Sequence, residues 1–174
     1  MRRLIYQVYV GKKSKLYDGC VASVAIYCAR HNIEHIVQRE PILRIKPNVF
    51  ATNRSKESYE KHGGFLPIYE KENAFDHLKD YDQIAIVDAD IYIRESAENI
   101  FEDFGTEHAF GAVLESSMPI TNQYIAKIIN YSTMQYRGLS KKRKYREIAK
   151  MGYSFYNMGL ILLNSKQFEP FLKG

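Results

Sequence analysis

Asp82-Gln-Ile-Ala-Ile-Val-Asp-Ala-Asp90 sets an unbroken apolar run directly before two aspartates separated by one residue. Ile84, Ala85, Ile86 and Val87 show no alternation of apolar and polar side chains, as expected of a central parallel strand covered on both faces. Asp88 and Asp90 fall where that strand runs out, and in open α/β sheets ligands gather at the carboxyl ends of strands. With a side-chain period of two, both carboxylates are expected to point the same way. Two like charges so close repel unless a cation lies between them. The pattern therefore predicts a hard divalent cation, Mn²⁺ or Mg²⁺, held by oxygen from Asp88 and Asp90. The competing reading is a pair of aspartates that only caps a turn.

Outward from this stretch, Leu4 to Val10 is rich in β-formers and reads as a first strand, after which Asp18 is placed to cap a helix carrying Val21, Val24, Ala25 and Tyr27. A short strand is expected at His35 to Gln38, ending before Pro41. Helices are expected at Ser55 to His62 and Glu72 to Leu78, parted by Gly63-Gly64. After the central strand, Ser96 is placed to cap a helix through Phe104, and Ala109 to Leu114 reads as a strand. Then come a helix from Asn122 to Tyr136, a buried strand at Met158 to Leu163, and a closing helix from Ser165 to Leu172 that Pro170 disfavours. Strands alternating with helices predict an α/β sandwich with a mostly parallel sheet.

The 174 residues suffice for one core, so a single domain spanning 1–174 is expected. Hydrophobic residues at 45% and charged residues at 26% are ordinary for a folded globular chain and exclude a disordered or fibrous one. No apolar run approaches the roughly 20 residues that span a bilayer, and Met1 to Gln7 enters a strand-like pattern without a cleavage site. The expectation is a cytoplasmic protein without a transmembrane segment, with peripheral membrane contact left open. Cys20 and Cys28 lie eight apart on one helix, too far to bridge, and read as small buried hydrophobes. The net charge of +5 suits a polyanion or a diphosphate. Its densest basic run, Lys141 to Arg146, comes with no nucleic-acid motif and reads as a solvated face.

The loop Gly11-Lys-Lys-Ser-Lys-Leu-Tyr-Asp-Gly19 carries neither Gly-x-Gly-x-x-Gly nor Gly-x-x-x-x-Gly-Lys-Ser/Thr, which removes the usual support for a dinucleotide or P-loop fold. Phosphates would instead be met by a metal on Asp88 and Asp90. Tyr81-Asp-Gln-Ile-Ala-Ile-Val-Asp-Ala-Asp-Ile-Tyr-Ile93 resembles the Asp-x-Asp segment of GT-A fold glycosyltransferases, particularly the retaining family 8, which includes glycogenin and bacterial galactosyltransferases. Phe155-Tyr-Asn-Met-Gly-Leu-Ile-Leu-Leu-Asn164 is similar to that group's Phe-Asn-Ala-Gly-Val-x-Leu-Ile-Asn segment.

The resemblance implies a GT-A, Rossmann-like sandwich that transfers a sugar from a nucleotide-sugar donor, a UDP-sugar by preference, to a carbohydrate or other acceptor, with retention. It implies Mn²⁺ (or Mg²⁺) and the donor diphosphate on Asp88 and Asp90, with Ala89 beside the ribose. The end of the first strand, Val8 to Gly11 and so Tyr9, Val10 and Gly11, would border the base, and Tyr17 would stack on it. Asn157 would contact sugar or acceptor, and Glu115 and Ser116 would face the cleft, with Glu115 the candidate base should the reaction invert. A retaining reaction needs no such base, because the leaving phosphate can take the acceptor proton.

The chain departs from the group in one respect: family 8 enzymes take a third metal ligand from a later His-x-x-Gly-x-x-Lys-Pro-Trp-like segment, which this sequence lacks. His31, His35, His62, His77 and His108 all precede the Asn157 strand outside that context. A non-catalytic module binding a nucleotide sugar or polyanion therefore stays open as an alternative. So does a haloacid-dehalogenase-type phosphatase with Asp88 as nucleophile, although its later acidic pair is missing.

Overall fold

The structure, a computed structural model, describes residues 1–46, 53–130 and 155–172. The chain divides into two compact units, Met1–Gly111 with Gly159–Gly174, and Ala112–Met158. Five strands form one sheet in the order β2-β1-β3-β5-β4, where β1 is Arg3–Val8, β2 Glu34–Gln38, β3 Gln83–Asp88, β4 Phe110–Leu114 and β5 Tyr156–Asn164.

The central run forms β3 as its composition demands. Ile84 and Ala85 are wholly buried, and Ile86 and Val87 are nearly so. Both neighbours of β3 supply the reason. It pairs in parallel with β1, from Arg3 opposite Gln83 to Val8 opposite Asp88, and antiparallel with β5, from Gln83 opposite Asn164 to Val87 opposite Leu160. β1 pairs in parallel with β2. β4 and β5 run antiparallel, since Asn164 N–H donates to the Ala109 carbonyl while Glu115 N–H donates to that of Phe155. The sheet is thus mixed, with two parallel pairs and the remainder antiparallel, where a mostly parallel sheet was expected. An apolar run shows that both faces are covered but carries no sign of strand direction.

Alternation along β1 divides the core between two faces. Leu4 and Tyr6 pack with Ile84, Ile86, Ile161 and Leu163 beneath a 3₁₀ segment, Lys71–His77, that contributes Ala74 and Phe75. Ile5 packs with Ala85, Val87 and Leu162 beneath α1 (Lys15–His31), which contributes Val24, Tyr27 and Cys28, and α4 (Ile100–Phe104), which contributes Phe101. Each fully buried Ile or Leu adds about 1.5–3 kcal/mol. Burial also pushes the Cys28 thiol up to about 12, so it behaves as the inert hydrophobe expected.

Helix boundaries differ from expectation in instructive places. α1 starts at Lys15 with Ser14 as its N-cap, and Asp18 lies in the first turn, its N–H already bonded to the Ser14 carbonyl. The Ser14 peptide is held from outside: Tyr9 Oη accepts its N–H at 2.7 Å and donates to its carbonyl at 3.1 Å. Asn99 rather than Ser96 caps α4, its side chain accepting the Phe101 N–H. α2 (Asn53–Lys61) and a one-turn α3 (Pro67–Glu70) precede the 3₁₀ segment, which replaces the regular helix expected at Glu72 to Leu78. α6 (Ser165–Leu172) forms despite Pro170. Residues 122–130 are helical, α5; the rest of that expected helix and the basic run Lys141 to Arg146 lie outside the described residues.

Candidate functional site

Register alone brings most of the expected residues of the first unit together. Because Val8 lies opposite Asp88, the loop Tyr9, Val10, Gly11 leaves β1 beside the point where Ala89 and Asp90 leave β3. Tyr9, Val21 and Ala89 form one small buried cluster with Val37 against it. Tyr17, just over a third exposed on the first turn of α1, meets Tyr9 edge to face with ring centroids 5.6 Å apart. Tyr9 and Val10 are buried, so their contribution is to shape the rim.

Gly11 has φ +97°, and a β-carbon there would come within 3.2 Å of His62 Nδ1. Only glycine holds that turn without strain while letting the end of α2 approach.

The two aspartates differ. Asp88 closes β3 and is half-buried; its carboxylate forms an ion pair with Lys71 from the first turn of the 3₁₀ segment. Asp90 is exposed and lies in a turn that the Ile91 N–H closes onto the Asp88 carbonyl. The strand ends at Asp88, so the period-of-two argument for a shared direction does not extend to Asp90. Beneath the turn, His35 Nε2 lies 2.8 Å from Gln7 Oε1, and Gln7 Nε2 donates to the Asp88 carbonyl at 3.2 Å. Burial, followed by the charge of Arg39, holds the His35 pKa below its usual value, and Gln7 Oε1, which can only accept, makes His35 Nε2 the donor.

A second buried network lies beside the rim. Glu70, 1% exposed, accepts backbone N–H groups from Ile42, Leu43 and Arg44 and side-chain amides from Gln38 and Asn73. Burial raises its pKa, yet these bonds, Arg44 and Ile42 foremost, outweigh burial and hold it below the ordinary carboxylate value. Arg44 sits at φ +45°, a left-handed conformation that the three N–H bonds stabilise.

Asp88 and Asp90 supply the hard oxygen donors that Mn²⁺ or Mg²⁺ favours, and a site completed by substrate phosphates and water needs only one or two carboxylates. Among the described residues no group of three His, Cys, Asp or Glu side chains could hold a metal ion. The donor chemistry fits a cation shared with a ligand, and Lys71 already offsets charge at Asp88.

Glu115 and Asn157 belong to the second unit, where Asn157 Nδ2 donates to Glu115 Oε1 at 3.0 Å and Glu115 is buried. Asn164, the last residue of the second motif, is structural. Its side chain donates to the carbonyls of Gly105 and His108 and accepts from Gln83 at the other end of β3. Two hollows of about 690 and 460 Å³ lie at that same edge, lined by lysines and carboxylates in mixture, away from Asp88.

Sequence reasoning missed Lys71, Arg39 and Glu70. Lys71 and Glu70 lie in a segment of weak periodicity that only the fold brings to the strand ends, whereas Arg39 directly follows the strand expected at His35 to Gln38 and nothing local marks it.

The fold is similar to that of a solved glycosyltransferase involved in the glycosylation of the major capsid of PBCV-1, at 9% identity and a TM-score of 0.52, over 98% of this chain and 63% of that one. Mouse xyloside xylosyltransferase 1, in its apo form, is 14% identical over 98% of this chain and 69% of that one, with a TM-score of 0.44. The chain thus spans less than two thirds of the first protein's length, and at 9% identity the likeness is one of fold. No family model and no curated protein matches this sequence. No helix among the described residues is long and apolar enough to cross a membrane.

Proposed function

We propose that this chain is a GT-A type glycosyltransferase whose first unit binds a nucleoside-diphosphate sugar, a UDP-sugar by preference, at the rim formed by the ends of β1 and β3, and whose reaction retains configuration at the sugar. The observation that carries the reading is the convergence of Asp88, Ala89 and Asp90 with Tyr9, Gly11 and Tyr17 at that rim. Its fold likeness to a glycosyltransferase supports the same reading.

Asp88 and Asp90 would hold a divalent cation, which when bound supplies positive charge to a diphosphate. The chain's own residues do the rest. Lys71 neutralises Asp88 and presents an ammonium where a leaving diphosphate gathers negative charge. Tyr17 offers an aromatic face beside the Gly11 turn, against which His62 packs. Asn157 and Glu115 are proposed to serve sugar transfer rather than nucleotide binding.

The test is release of UDP from a panel of UDP-sugars with Mn²⁺, water serving as a slow acceptor. One sugar is expected to turn over, and Asn157→Ala is expected to lower that turnover at least tenfold with UDP affinity unchanged. Tight UDP-sugar binding without any turnover would make the chain a binding module instead. Release of phosphate from a simple aryl phosphate would favour the phosphatase.

A further inference from the structure

Arg39 is the residue that follows β2, and it is exposed. Its guanidinium lies 4.3 Å from the centre of the Tyr9 ring, and it has no ion pair with any described residue. An arginine stacked on an aromatic face keeps its in-plane N–H groups available at the edge, where a planar acceptor can meet them. The residue on either side is fixed. Gln38, before it, is buried, accepts from Tyr6 and Asn73 and donates to Glu70; the same Gln38 amide also donates to the carbonyl of Glu40, after it. Glu70 then clasps Ile42 to Arg44. This buried network places four hydrogen bonds on the short loop carrying Arg39, which pre-organises the cation rather than leaving it to wander.

The order of the strand ends gives Arg39 its place in the proposed site. β3 carries the carboxylates, β1 lies next to it and carries Tyr9 and Gly11, and β2 lies on the far side of β1. A ligand whose diphosphate meets Asp88 and whose flat base reaches Tyr17 has that base on the Arg39 side, because Tyr9 touches Tyr17 and Arg39 alike. Arginine offers donors and no acceptor, so it favours a base edge that presents carbonyl oxygens and disfavours one that presents an amino group.

We infer that Arg39 is a specificity-determining residue that reads the carbonyl edge of the donor's nucleobase and so selects a uridine over a cytidine or adenosine diphosphate. The inference rests on the proposed donor site. It is tested by calorimetric titration of UDP, CDP and ADP, each with Mn²⁺, into the wild type, Arg39→Ala and Arg39→Lys, with thermal unfolding as the folding control. The wild type is expected to prefer UDP by about tenfold or more, the scale of one hydrogen bond from a charged donor to a carbonyl oxygen. Arg39→Ala is expected to lose most of that preference through weaker UDP binding. Arg39→Lys, with charge but no fork, is expected to keep affinity better than selectivity. A wild type that binds UDP no better than CDP, or a preference that survives in Arg39→Ala, overturns the inference and leaves the proposed donor site standing. A wild type that binds none of the three overturns both.

Discussion

Lys71 and Asp88 form an ion pair at the proposed cation site. With Lys71 13% exposed and Asp88 36% exposed at the side chain, the pair is partly screened, and its worth lies in keeping a half-buried carboxylate neutralised. At the proposed site, Lys71 and a divalent cation would compete for the same Asp88 oxygens in the absence of ligand. Lys71→Met should therefore bind Mn²⁺ alone several-fold more tightly than the wild type, as followed by the loss of the free-ion electron paramagnetic resonance signal, and should bind UDP with Mn²⁺ less tightly. Equal Mn²⁺ affinity in the two proteins would mean that the ammonium does not occupy the cation's place. The place of Asp88 and Asp90 at the end of β3 was legible in the sequence because they follow an apolar run that only a covered strand explains. Lys71 was not, since seventeen residues separate it from its partner and nothing local marks it.

At the level of elements, the segment 67–77 joins two tasks: Glu70 clasps the loop after β2 and Lys71 pairs with the end of β3. Glu70→Ala would leave three backbone N–H groups without their acceptor and take one acceptor from each of the Gln38 and Asn73 amides, at an expected cost of about 2–4 kcal/mol by chemical denaturation. The pH dependence follows from the direction of its shift. The folded pKa lies below the unfolded value of about 4.3, so the contribution is complete above that value and vanishes as pH falls through the lower, folded pKa. The wild type should thus lose stability more steeply below about pH 4.3 than Glu70→Gln does; parallel acid profiles would show that the carboxylate is not the group clasped. The same stretch explains where the sequence was mute. Glu70 stabilises the segment through contacts 26 to 32 residues distant, which leave no periodic trace, and the outcome is a 3₁₀ segment where a helix was expected. Ser14 rather than Asp18 is the N-cap of α1, its backbone held by the hydroxyl of Tyr9 in the loop after β1.

For the whole molecule, parallel β1, β2 and β3 point their carboxyl ends toward one edge, where the loops bearing Tyr9, Gly11, Arg39 and the Asp88 turn meet. The α/β class, the strand positions and the aspartate-bearing strand were legible, because burial on both faces and the change from strand to helix periodicity are written locally. The direction of β5 was not, since an apolar strand reads the same from either end. At the opposite end of β3, Gln83, Asn164 and Ser165 are held by hydrogen bonds and line one of the two hollows found there. The central claim is that Asp88 and Asp90 hold a cation that grips a donor's pyrophosphate, and calorimetric titration of UDP into the wild type and Asp90→Asn, each with Mn²⁺ and with chelator, tests it most directly. Binding that requires Mn²⁺ and weakens at least tenfold in Asp90→Asn is the predicted result; tight binding indifferent to chelator and to the substitution would contradict it.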